Sequence, residues 1–65
     1  MKAEIGSLVK IKIDFQLSRN LSIRQGDYGI ILGYAIEESC AVFDYLVLCN
    51  GIEIYLFKYE LELVN

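Results

Sequence analysis

The sequence predicts a single all-β domain, and three observations lead to that prediction. Polar and apolar residues alternate with a period close to two in most segments, which is typical of strands. The pair Asn50-Gly51 separates two apolar runs, and it is the favoured two-residue turn of a β-hairpin because both residue types tolerate positive φ. The 65 residues are enough for one domain, 1–65, and no more.

The order of the predicted elements follows from this alternation and from the turn signals. We expect five strands, at residues 8–13, 28–34, 41–49, 52–57 and 61–64, with a short 3-10 turn at 58–60 before the last strand. Residues 14–25 are too polar for a core strand and too apolar for an unstructured loop. We therefore expect an ordered excursion that tucks two or three apolar side chains under the strands, and a helical turn over 18–23 is the alternative.

The alternation also predicts which side chains face the core. In the first strand the lysines mark the solvent-exposed face, so Val9, Ile11 and Ile13 are expected to face the core. In the third strand Asp44 marks the outer face, and the residues expected inside are Phe43, Tyr45, Val47 and Cys49.

Two glycines interrupt the second predicted strand. Gly29 and Gly33 lie inside residues 28–34, where a glycine usually marks a bulge, a bend or a close approach of another backbone. Small barrels need such bends in order to close. We therefore expect the second strand to be bent.

The composition favours an interaction surface. Hydrophobic residues make up 55% of the chain, and a domain this small cannot enclose that many large side chains. An exposed apolar patch is expected, and such patches usually mark interfaces. Because burial and conformational entropy nearly cancel in a chain of this length, self-association is also expected to help it.

The charge pattern argues against a nucleic-acid binder. Six basic residues face nine acidic ones, for a net charge of −3, whereas binding to phosphates needs local positive charge. Four basic residues could still form a local patch, namely Lys10, Lys12, Arg19 and Arg24. The simpler interpretation is that they are solvated residues that discourage pairing of strand edges.

The residues that usually carry catalysis are missing. The chain has no histidine, so the general base that works near neutral pH is absent, and Cys40 and Cys49 have no histidine partner. Two cysteines are too few for a closed zinc site, so we expect no metal or cofactor. In a chain without a secretion signal, we expect the two thiols to be free and buried. Since the usual catalytic residues are missing, we expect a protein that is not an enzyme. Residues 1–9 lack the apolar run of a signal peptide and no apolar run approaches 18 residues, so we also expect a cytoplasmic protein.

The arrangement resembles the SH3-like barrel family. The resemblance rests on the opening strand Gly6-Ser7-Leu8-Val9-Lys10-Ile11, the bent strand that starts at Gly26-Asp27-Tyr28, and the closing strand Glu60-Leu61-Glu62-Leu63-Val64. The spacing of Gly26, Gly29 and Ile31 also resembles the KOW motif of ribosomal proteins and transcription elongation factors. The chain lacks the basic loops of KOW proteins and the tryptophan of peptide-binding SH3 domains, and its overall look is similar to uncharacterised barrels of phages and bacterial accessory proteins.

Aromatic residues are the candidate contacts of the leading functional hypothesis, which is a non-catalytic protein-interaction module or small accessory subunit that self-associates. Outward tyrosines make good anchors, although cross-strand packing explains them too. We place the contact on residues 52–59 with Tyr55 and Tyr59 as anchors; if Tyr55 points inward, Ile54 and Leu56 take its place. The alternative hypothesis is a KOW-type nucleic-acid-binding protein. The candidate interface residues are Tyr28, Tyr34, Tyr55, Phe57 and Tyr59.

Overall fold

The computed structural model describes residues 4–35 and 44–64 and shows an all-β chain. Among these residues the strands and a 3-10 turn follow one another in this order: β1 (Leu8–Ile11), β2 (Phe15–Gln16), β3 (Ser22–Ile23), β4 (Tyr28–Tyr34), β5 (Tyr45–Cys49), β6 (Ile52–Leu56), the 3-10 turn (Lys58–Glu60) and β7 (Leu61–Leu63). Five strands form one antiparallel sheet in the order β6-β5-β4-β1-β7. Within the described residues this sheet is open, with β6 and β7 at its edges.

The excursion after β1 explains why seven strands are found where five were expected. Strands β2 and β3 pair with each other as a separate two-stranded sheet, with Phe15 opposite Ile23. The helical turn expected as an alternative over 18–23 is wrong, because Leu17 N–H donates to the Leu21 carbonyl across a hairpin. Ile23 is fully buried and Phe15 packs against the core, which confirms that the excursion tucks apolar side chains beneath the sheet.

The first strand is shorter than predicted, and Ile13 is not in the core. Strand β1 ends at Ile11 because its two neighbours end there: β4 begins at Tyr28 and β7 begins at Leu61. Beyond this point Lys12 N–H donates to the Glu60 carbonyl at the 3-10 turn. The prediction that Ile13 faces the core is therefore wrong, and its side chain is 41% exposed.

The core lies on one face of the five-stranded sheet and is sealed by Ile23 of the hairpin. Val9, Ile11, Tyr45, Val47 and Cys49 are buried there as predicted, whereas Phe43 lies outside the described residues. The other buried core residues are Ile31, Leu56 and Leu61.

Both tight connections at the carboxyl end match their prediction. Cys49 pairs with Ile52 across the Asn50-Gly51 turn, in which the two residues have φ of 54° and 76°. The 3-10 turn spans Lys58–Glu60, and the Glu60 carboxylate accepts a hydrogen bond of 2.9 Å from the N–H of Phe57. These turns fix the direction of β6 and of β7 relative to the sheet.

The two glycines of β4 serve different purposes. The register with β5 shifts between Ile31 and Gly33, so Gly33 lies at a bulge. Gly29 lies on the buried face, where a Cβ atom would approach Val47 Cγ1 to 2.7 Å and the Leu48 carbonyl oxygen to 3.0 Å. The expectation of a bulge and a close approach in this strand is confirmed.

Candidate functional site

The five-stranded sheet carries a row of apolar residues on each of its two faces. Residues paired across antiparallel strands point to the same side of a sheet. On the inner face Val9, Gly29 and Cys49 form one such row across β1, β4 and β5. On the opposite face the neighbouring row across the same three strands is Leu8, Ile30 and Leu48, all apolar, and it ends at Glu53 on β6. An antiparallel sheet with one solvated face normally carries polar residues there.

We call this second surface the outer apolar face. The outer row includes Leu8, which is 44% exposed, and Ile30, which is 43% exposed. Leu46 lies opposite Tyr55 on the same side, and both are half-buried. The outer apolar face consists of Leu8, Tyr28, Ile30, Leu32, Leu46, Leu48 and Tyr55.

Charged residues border the outer apolar face at its two sides. On the β1 side, Lys10 lies opposite both Tyr28 and Glu62, and its Nζ is 6.0 Å from the centroid of the Tyr28 ring. A shallow cleft of about 200 Å³ lies beside these three side chains and reaches Leu63. On the β6 side, Glu53 lies opposite Leu48. The face is therefore apolar in the middle, with the Lys10–Glu62 pair on the β1 flank and the Glu53 carboxylate on the β6 flank.

The structure divides the predicted aromatic candidates among three places. Tyr28, which is 54% exposed, and Tyr55 belong to the outer apolar face. Tyr34 instead packs on the core side, with its ring centroid 5.9 Å from that of Tyr45. Phe57 and Tyr59 stack in parallel at the 3-10 turn, with centroids 5.2 Å apart and Tyr59 67% exposed. The structure thus brings Tyr28 and Tyr55 to one surface and places the other three elsewhere.

The outward direction of Tyr55 also decides between two predicted contact sets. Leu56 is fully buried and Ile54 packs against the core, so these two residues do not replace Tyr55 on the outside.

The basic candidates lie on separate elements, and acidic groups accompany two of them. Lys10 is on β1 opposite Glu62, and Lys12 follows the end of that strand. Arg19 is exposed in the connection of the β2–β3 hairpin. Arg24 follows β3, and its charge acts on the carboxylate of Asp27.

Asp27 joins two turns of the fold. Its Oδ2 accepts hydrogen bonds of 2.9 Å from the backbone N–H of Arg24 and 2.9 Å from the side-chain amide of Asn50. These two bonds, the backbone one first, hold the pKa of Asp27 below its ordinary value. Burial, together with the nearby Asp27 charge, raises the pKa of the Cys49 thiol. This cluster ties the β5–β6 turn to the turn before β4, and its chemistry is that of a structural crosslink.

Within residues 4–35 and 44–64, no three side chains of the metal-binding types come together. A second cleft, of about 270 Å³, lies beside the β2–β3 hairpin and is lined by Asp14, Phe15, Gln16, Ser22, Ile23 and Arg24. Asp14 in this cleft already accepts a hydrogen bond from the backbone N–H of Gln25. Cys40 lies outside the described residues, and Cys49 is a buried free cysteine.

Sequence reasoning missed the aliphatic part of the outer apolar face. Leu8, Ile30, Leu46 and Leu48 were not among the candidates, although an exposed apolar patch was expected. The signal was present in the strands themselves, because residues 28–34 and 45–49 are apolar at both alternating positions. Once the inward set of β5 is assigned, its remaining leucines must point outward.

Comparison with known proteins does not identify a family for this chain. Searches against protein-family models, curated proteins and solved structures found no match. In the described part of the chain, no helix is long and apolar enough to cross a membrane.

Proposed function

We propose that this protein is a non-catalytic interaction module or small accessory subunit that binds another protein chain through its outer apolar face. The observation that carries the proposal is the row Leu8–Ile30–Leu48, which is apolar where a solvated sheet face is normally polar, with Leu8 and Ile30 exposed and Leu48 half-buried. Contiguous exposed apolar surface on a small protein marks a docking site. The aromatic residues Tyr28 and Tyr55 at its margins add anchors of large area and few rotatable bonds.

The fold that we propose for this module is an SH3-like barrel. The sheet order β6-β5-β4-β1-β7, the long excursion after β1 and the 3-10 turn before β7 support that assignment. In such a barrel the bulge at Gly33 supplies the bend that lets β4 contribute to both halves of the wall.

A nucleic-acid-binding function of the KOW type is the second candidate, and one contact favours it. Lys10 lies beside the exposed ring of Tyr28, and a cation next to an exposed aromatic ring is the kind of surface on which bases stack. Against it, Glu62 lies opposite Lys10 on the same face, and the whole chain carries a net charge of −3. The apolar row is the larger feature, and it supports a protein partner over a nucleic acid.

Site-specific photo-crosslinking tests the proposal and can capture a protein partner of any identity. A photoreactive phenylalanine analogue replaces Leu48 on the outer apolar face, and a matched variant carries it at Leu17, an exposed leucine on the hairpin side. In the cells that produce the protein, we expect discrete protein adducts from position 48 that excess unlabelled chain competes away, and none from position 17.

Two results of this experiment would contradict the proposal. Equal labelling from both positions would mean that the outer apolar face has no special partner. An adduct from position 48 that nuclease treatment removes would favour the nucleic-acid function.

A further inference from the structure

We infer that the occupant of the outer apolar face is a second copy of this chain, stacked face to face about a two-fold axis, with Lys10 of each copy beside Glu53 of the other. The inference rests on the proposed function, since it names the partner of the same surface. It is carried by the positions of the apolar row and of the two border charges.

The order of the strands determines what a two-fold axis brings together. An axis parallel to the strands, between β4 and β5, reverses the strand order across the interface. Strand β4 of one copy then stacks on β5 of the other, and β1 stacks on β6. Ile30 of each copy contacts Leu48 of the other copy, because the two residues are paired across neighbouring strands and so lie in the same row. The contact is self-complementary, as a two-fold interface requires.

The same rotation brings opposite charges together. Lys10 lies on β1, two residues along from Leu8, and Glu53 lies on β6 in the row of Leu48. With β1 over β6, Glu53 of one copy lies across from Leu8 of the other, because the two belong to the same row, and Lys10 lies two residues along β1 from Leu8. With stacked sheets ~10 Å apart, the side chains of Lys10 and Glu53 reach each other diagonally, once on each side of the axis. An axis across the strands would stack each strand on itself and place charges of the same sign on the same flank, which is unfavourable.

The size of the face predicts a weak, reversible dimer. Four stacked strands, ~4.8 Å apart and about 17 Å long, bury on the order of 1,000 Å² of accessible surface, summed over both copies, once the uneven shape of the side-chain surface is included. This is near the lower limit for specific interfaces, and we expect a dissociation constant on the order of tens of micromolar. The acidic net charge of each copy opposes association only weakly at physiological salt.

A pair of charge reversals provides a sharp test. Lys10→Glu alone and Glu53→Lys alone each place two like-charge pairs in the homodimer, so sedimentation equilibrium should show association weakened at least about tenfold. In an equimolar mixture, every contact between the two variants is again Lys opposite Glu. The mixture should return to the wild-type affinity, with a mass approaching twice the 7.4 kDa of the single chain.

Matched controls separate this geometry from the effect of net charge and of unfolding. Lys58→Glu and Glu4→Lys change the net charge by the same amounts at exposed positions away from the face, and both should associate like the wild type. Leu48→Lys in the centre of the face should abolish the dimer. Circular dichroism and urea midpoints show that each variant remains folded.

The outcomes distinguish this inference from the proposed function. A wild-type chain that stays monomeric at several hundred micromolar, while position 48 still crosslinks to a different protein, overturns the second-copy inference and leaves the docking function standing. A monomer without crosslinks overturns both. A dimer that Leu48→Lys abolishes but that the charge reversals leave unchanged overturns the proposed two-fold arrangement.

Discussion

Gly29 provides the most direct stability test of the inner face. It lies on β4 between Val9 of β1 and Cys49 of β5, and it is buried. In Gly29→Ala the new Cβ would lie 2.7 Å from Val47 Cγ1, 3.0 Å from the Leu48 carbonyl oxygen and 3.3 Å from the Cβ of Cys49. The carbonyl belongs to the sheet backbone and cannot rotate away, so the strands must separate slightly.

The expected magnitude follows from two opposing effects. Overpacking of this kind costs about 1–3 kcal/mol. Replacing glycine also restricts the unfolded chain, which returns about 0.4–1 kcal/mol. We therefore expect Gly29→Ala to lower the free energy of unfolding by about 1–2 kcal/mol.

Gly33 in the same strand is the matched control. A Cβ there has no atom within 4 Å, and the residue does not have a positive φ. Gly33→Ala should therefore be neutral or stabilise the protein by up to about 0.5 kcal/mol through the unfolded state.

Urea denaturation followed by circular dichroism measures both variants. With a slope near ~1 kcal/mol/M for a small domain, the midpoint of Gly29→Ala should fall by about 1–2 M. The protein concentration must be equal and low, because the proposed association would stabilise the folded chain. Equal midpoints for the two variants, or a Gly29→Ala protein as stable as the wild type, would refute the close approach at this position.

Three further predictions concern the turn, the carboxylate and the thiol. Gly51→Val should cost about 1–2 kcal/mol in urea denaturation, since a β-branched residue does not hold a positive φ cheaply, and an unchanged midpoint would contradict the turn. The pKa of Asp27 is lower in the folded chain than its unfolded value of about 4, so the ionised carboxylate stabilises the fold above that value. This stabilisation is lost as the pH falls through the pKa of the folded chain. Asp27→Asn should therefore lose less stability than the wild type between about pH 6 and pH 2, and parallel curves would contradict the linkage. The buried Cys49 thiol, with its raised pKa, should alkylate slowly in a Cys40→Ser chain and rapidly in urea, as intact mass reports; rapid native labelling would contradict its burial.

Local chemistry explains which elements the sequence predicts well. The turn at Asn50-Gly51 and the 3-10 turn at Lys58–Glu60 lie where expected, because a few residues with defined backbone preferences determine them. Strand β4 matches the predicted residues 28–34, bounded by a turn signal at its start.

Contacts distant in sequence determine the elements that prediction misses. Strand β1 ends at Ile11 because its pairing with both neighbouring strands ends there, and no signal within residues 8–13 predicts that end. The β2–β3 hairpin depends on Ile23 reaching the core from a polar segment. The face of a strand is equally hard to assign when both alternating positions are apolar, and for this reason the sequence alone does not identify Ile30 as part of the candidate surface.

In the proposed dimer, the two faces of strand β5 have separate roles, one in folding and the other in association. Val47 and Leu48 are neighbours on β5, but Val47 is fully buried in the core and Leu48 lies on the outer apolar face. A polar residue at 47 removes buried contacts that hold the chain together, whereas a polar residue at 48 removes surface that is half-open in the single chain. Changes on the outer face should therefore alter association with little change in the urea midpoint of the dissociated chain, and changes on the inner face should alter the midpoint first. This separation is what allows the charge-reversal experiment to report on geometry rather than on unfolding.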